Sequence, residues 1–292
     1  MVRFYFTKGI FCLFALLVLG KCETGSNSSG EEAAALLLLA SSNTGTTTNS
    51  TDCPPATLPT DVLIADTVTS APGSDANTEF KDPSKAINGV CGKGEDAGSL
   101  DIYELPSTTD NGYIILEWNS KKVKNSSGVD FVVFENAFKN ASSGTYFVEP
   151  IIVEVSNDLS KWCGWSPDYK NSDETAYSGV INYWGNFAGL TPVKYNMTTN
   201  PLSASEVFDS DLAGGDGFDL DNLSSTNNSA SGTNCDSTEV SDIKSNGFIY
   251  LKLTNAATRT NPDTGSTFPQ DGSSTGRGPD IDGVVAKEVV AR

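Results

Sequence analysis

The chain has 292 residues, 38% of them apolar, and a formal net charge of −18 with no histidine. That acidity argues against nucleic acid as a partner, which needs basic surface, and against electrostatic docking on anionic lipid. It favours a soluble chain able to hold divalent cations, and the lack of histidine removes the usual base of a nucleophilic serine.

Residues 1–21 predict a lipoprotein signal peptide. Arg3 and Lys8 form a basic n-region, and the apolar run 9–20 is too short to span a bilayer, which takes ~20 residues. Leu19-Gly20-Lys21-Cys22 resembles a bacterial lipobox, which makes Cys22 the predicted lipidation site. The expected address is the bacterial cell envelope, at the outer membrane, with the membrane reached only through that lipid anchor. Residues 22–60 are rich in Ser, Thr, Asn and Gly and predict a disordered, flexible tether. The apolar word 33–40 within it has no polar face and reads as a low-complexity insert.

The folded domain is predicted over 61–292. Its strands are 62–68, 112–118, 129–135, 147–156, 247–255 and a closing strand at 281–290, with a helical turn at 83–89 and a short strand or bulge at 162–165. The two most apolar runs, 129–135 and 149–156, are expected to be neighbours in one buried sheet. The polar stretch 223–237 is expected to be a mobile insertion. Many short strands, turn-rich connections and almost no amphipathic helix predict an all-β sandwich. With Cys12 in the leader and Cys22 lipidated, Cys53, Cys91, Cys163 and Cys235 remain as disulfide candidates with three possible pairings.

Some words are recognisable. Glu154-Val155-Ser156-Asn157-Asp158 with Lys161-Trp162, and Ala86-Ile87-Asn88-Gly89, resemble core phrases of discoidin-like (F5/8 type C) jelly rolls. Phe131 to Asn136, Glu149-Pro150, Ala213 to Leu220 and Asp280 to Val285 together resemble a bacterial cell-surface-protein domain. That domain is also found in leptospiral-type surface lipoproteins of unknown function. The resemblance implies a jelly-roll-like β-sandwich and a surface or periplasmic address, and carries no activity with it.

Calcium takes six to eight oxygen ligands, and Gly-Asp-rich loops supply them. Glu135, Asn136, Asp216, Asp219, Asp280 and Asp282 are therefore the expected metal ligands, with Asp280 and Asp282 on one strand face by the period of two. The spacing after Asp209 rules out an EF-hand, because the twelfth residue is Leu220. Residues 272–276 match G-x-S-x-G literally, but the setting is a polar loop and no histidine base exists. Catalytic residues are expected to be none; the alternative is a carbohydrate-active enzyme drawing on Glu135, Glu149 and Glu154. Tyr183, Trp184 and Phe187, in a glycine-bearing loop, are the expected ligand-binding aromatics for a glycan or a host or envelope protein, whereas Trp162 reads as core. The remaining alternative is a purely structural envelope protein.

Overall fold

The computed structural model describes residues 53–75, 80–107, 112–225, 230–272 and 278–292. The expected signal peptide, Cys22, the expected tether up to residue 52, the apolar word 33–40 and residues 273–276 of the G-x-S-x-G word lie outside the described residues.

Two five-stranded sheets face each other. In the first, Leu63–Ile64, Asp280–Ala286, Phe131–Glu135 and Asp216–Phe218 lie side by side in that order, and Tyr103–Glu104 also pairs with Asp280–Ala286. In the second the order is Cys163–Gly164, Ile151–Ser156, Tyr250–Asn255, Tyr113–Glu117 and Thr67–Ser70. Every pairing is antiparallel. The expected strand at 62–68 is therefore two strands: the chain leaves the first sheet after Ile64 and joins the second at Thr67.

The runs at 131–135 and 151–156 were expected to be neighbours in one sheet. They lie instead in opposite sheets and meet face to face. Alternation explains the contact. Phe131 and Val133 point inward from one sheet, and Ile151, Val153 and Val155 from the other, into a core shared with Leu116, Leu251 and Leu253. The intervening residues are buried too. Val132 and Phe134 pack outward against Val193, Tyr195 and Val207, and Ile152 packs outward against Trp184, Phe187 and Phe268. Strands covered on both faces read as continuous apolar runs, and such runs carry no sign of which strand lies beside which. Each buried aliphatic or aromatic side chain contributes about 1.5–3 kcal/mol, so the three layers jointly hold the sandwich.

The disulfides are Cys53–Cys91 and Cys163–Cys235. The first, with Leu58 packed against the outer core, makes residues 53–60 part of the folded unit rather than of a tether. The second ties down the stretch expected to be a mobile insertion. Leu223, Ala230 and Ser231 are buried, and Thr233 exchanges two backbone hydrogen bonds with Trp162; residues 226–229 lie outside the described set. This stretch leads into a helix, Ser237–Asn246, which was not expected. Its signals are local: Asp236 accepts the N–H groups of Thr238 and Glu239 as N-cap, and Gly247 ends it at φ +78°.

Candidate functional site

The word around Trp162 encodes a corner. Ser156 Oγ accepts the N–H of Asp158 and Leu159, and Asp158 Oδ1 accepts those of Ser160 and Lys161. The chain is thereby reversed, so that Cys163–Gly164 pairs back on Val155 and Glu154. Trp162 is buried and its indole N–H donates to Leu159 O at 3.0 Å. Ala86-Ile87-Asn88-Gly89 closes a short 3₁₀ turn, with Asn88 donating to Asp101 at 2.9 Å and Gly89 at φ +135°.

The six expected metal ligands divide among three places. Glu135 ends its strand pointing between the sheets, 1% exposed. Its Oε1 accepts the N–H of Asp280 at 3.2 Å, and its Oε2 has no hydrogen-bond partner. Burial, then the nearby Glu149, Asp280 and Asp216, push its carboxyl well above the usual range. Asp216 accepts from Leu190 N at 2.9 Å and Thr191 Oγ1 at 2.8 Å; burial pushes its pKa up to about 6 against those donors. Glu149, buried, arrives at this end from the facing sheet; it was read as part of the enzyme alternative and not as a ligand. Asn136 belongs beside this group but is turned to the Ser99 backbone, which it both donates to and accepts from, with Asp280 Oδ2 at 3.4 Å.

Asp219 and Asp282 are elsewhere. Asp219 caps the turn at Leu220–Asn222, accepting the Asp221 N–H at 2.8 Å. Asp282 is 1% exposed, and both its oxygens accept the Cys91 N–H at 3.0 Å. The period-two argument fails for Asp280 and Asp282 because the register shifts between Ile281 and Gly283. Asp282 is the extra residue there, and a bulge re-aims its side chain. Among the described residues, no group of three or more His, Cys, Asp or Glu is placed to hold a metal ion. The six-ligand shell is therefore not assembled.

The aromatic loop is also reassigned. Trp184 and Phe187 are each 3% exposed, and so turned away from any ligand. Trp184 stacks on Tyr169 at 3.8 Å and donates its indole N–H to Ser178 O at 2.8 Å. Phe187 packs edge-on between Trp184 and Phe268. Apolar area and a satisfied N–H make them core; only Tyr183 keeps partial exposure. In front of this cluster lies an open groove of about 650 Å³, lined by Thr175, Tyr177, Ser266, Thr267, Phe268 and Gln270 among others. The lining comes from well-separated segments, so no local word announced it.

No family model, curated protein or solved structure matches this chain. Among the described residues no helix is long and apolar enough to cross a membrane.

Behind the corner at Trp162, the second sheet carries charge on its outer face. Lys252 lies opposite Glu154 in register, with Nζ 2.6 Å from Glu154 Oε2, and both side chains are almost wholly buried. The Lys252 ammonium sits 4.2 Å from the centre of the Trp162 ring. Burial pulls the Lys252 pKa down, while Glu154 opposes that shift.

Proposed function

We propose that the chain is a cell-envelope lipoprotein, lipidated at Cys22. In this reading it displays a non-catalytic, jelly-roll-like sandwich that binds a carbohydrate. The observation that carries the binding part is the groove in front of Phe268. It is open, and mixes hydroxyls and an amide with the half-buried ring of Tyr177, above the buried Phe268. Sugars are recognised by that mixture, with rings stacking on aromatics and hydroxyls exchanging hydrogen bonds. The buried stack of Tyr169, Trp184 and Phe187 behind it supplies a rigid floor, and rigidity lowers the entropy lost on binding. A protein partner is the other occupant of such a surface.

Hydrolysis is not part of this reading. Glu135 and Glu149 are shut between the sheets and Glu154 is held by Lys252, so no two of them face an open cleft. Calcium stays in the reading only as a stabiliser held largely by backbone carbonyls, because among the described residues no three of the expected acids are placed to hold it. The test is a glycan array probed with the full chain, once with calcium and once with chelator, alongside Tyr177→Ala. Binding that falls at least tenfold in Tyr177→Ala supports the groove. Binding indifferent to that change moves the site elsewhere, and binding indifferent to chelator removes the ion from the reading.

A further inference from the structure

The outer face of the second sheet holds a charge imbalance of unusual sign for this chain, which has 37 acidic and 19 basic residues. Both oxygens of Glu154 are occupied, unequally: Oε1 accepts the Gly232 N–H at 2.8 Å, whereas Oε2 makes an ion pair with the Lys252 ammonium at 2.6 Å without hydrogen-bond geometry. Arg259 approaches the same Oε2, but its Nη2 stays 3.9 Å away, beyond hydrogen-bond reach. Its Nε is buried without a partner, while its side chain is 38% exposed. Among the described residues, the charged groups acting on Lys252 are Glu154 and Arg259. Two cations thus share one carboxylate, in a place where Lys252 is also desolvated under Trp162. The unpaired Nε–H marks a guanidinium that Glu154 leaves unsatisfied, and a second anion at its exposed edge would neutralise the surplus charge.

Arg259 is suited to that anion. Its planar guanidinium presents parallel N–H donors that match a carboxylate two to two. It leaves the second sheet on the loop that follows Asn255, and the same loop returns through Ser266, Thr267 and Phe268 to line the groove. We infer that Arg259, backed by Lys252, binds the carboxylate of an acidic sugar such as a uronic acid. The sugar part of this inference rests on the carbohydrate reading above; the carboxylate part rests on the Glu154–Lys252–Arg259 geometry alone.

The test is calorimetric titration of the full chain with glucuronate, with glucose as the neutral control and acetate as the bare carboxylate. The wild type is compared with Arg259→Gln and Arg259→Lys, each first checked for an unchanged melting temperature. Glucuronate is expected to bind at least tenfold tighter than glucose, and to weaken with added sodium chloride. Arg259→Gln is expected to lose tenfold or more, and Arg259→Lys, which keeps the charge but not the fork, to recover part of it. Equal binding of glucose and glucuronate, no glucuronate binding, or an unchanged Arg259→Gln overturns the inference. Acetate binding as tightly as glucuronate keeps the carboxylate site and overturns the sugar. If glucuronate binding fails in any of these ways while neutral glycans still bind the array in a Tyr177-dependent manner, the groove reading stands and this site falls.

Discussion

Glu135 ends an apolar strand with its carboxyl turned into the space between the sheets, one oxygen bonded to the Asp280 amide and the other unbonded. An ionised carboxylate without hydrogen bonds in such a place is costly, so the group takes up its proton at higher pH. Asp216, close by, is pushed the same way but is partly compensated by Leu190 and Thr191. A carboxyl with a raised pKa binds its proton more tightly folded than unfolded. Its contribution is fully present below the unfolded value, about 4, and is lost as pH rises through the folded one. For Asp216 that window runs from about 4 to about 6, and it reaches higher for Glu135. Carboxylates with lowered values, such as Asp82 and Asp158, act in the opposite sense but at more acidic pH. The chain should therefore lose stability between pH 5 and pH 8, with Asp216 contributing about 1.4 kcal/mol of that loss, the upper half of its window. Glu135→Gln keeps the acceptor for Asp280 and removes the titration, so its urea midpoint should change less over that range. A slope as steep as the wild type's would mean that Glu135 is ionised throughout.

At the scale of elements, the long apolar strands were legible but their partners were not, and the short strands Tyr103–Glu104 and Asp216–Phe218, the latter read as a Gly-Asp loop, were missed. The runs 131–135 and 151–156 announce themselves by unbroken apolar character, yet that same character hides which face each one shows to which sheet. The bulge at Asp282 was invisible because the sequence around it keeps its strand-like composition while the register shifts by one. The helix at Ser237–Asn246 was legible in principle, through Asp236 and Gly247, but sits in a stretch whose polar composition reads as loop. The groove was not legible at all, since its walls meet only after folding. One connection shows what such words leave unsaid. The Ala188–Gly189 segment bridges Ile151, and Gly189 O accepts the Glu149 N–H at 3.2 Å. Gly189 lies at φ +81°, and a Cβ there would stand 2.2 Å from Glu149 O. Backbone on both sides leaves nothing flexible to give way. Gly189→Ala should therefore destabilise by more than the ~1 kcal/mol usual for a strained φ, and should displace Glu149. Thermal unfolding checks this: a loss within 0.5 kcal/mol would mean that the segment is not held against the second sheet.

For the whole molecule, three apolar layers are closed by two disulfides that do different work. Cys53–Cys91 spans 38 positions and fastens the start of the folded unit to the turn beside Asp282. Cys163–Cys235 spans 72 positions and fastens the segment before the helix to the edge of the second sheet. Doubling a loop adds only about 0.6 kcal/mol of closure entropy, so entropy alone makes the two bonds nearly equal, at about 3–4.7 kcal/mol each. Packing breaks the tie. Cys163 is wholly buried in the inter-sheet core, and the segment it secures supplies Gly232 to Glu154 and Thr233 to Trp162. Releasing that segment loosens the cover over Lys252 as well as the edge strand. The paired change Cys163→Ser with Cys235→Ser should therefore lower the guanidinium midpoint more than Cys53→Ser with Cys91→Ser, by about 1 kcal/mol or more beyond the entropic difference. It should also expose Trp162, seen as quenching of its fluorescence by iodide. Equal losses with Trp162 still protected would show that Thr233 and Gly232 hold the corner without the disulfide, so that the second sheet's outer face does not depend on the bond that crosses its edge.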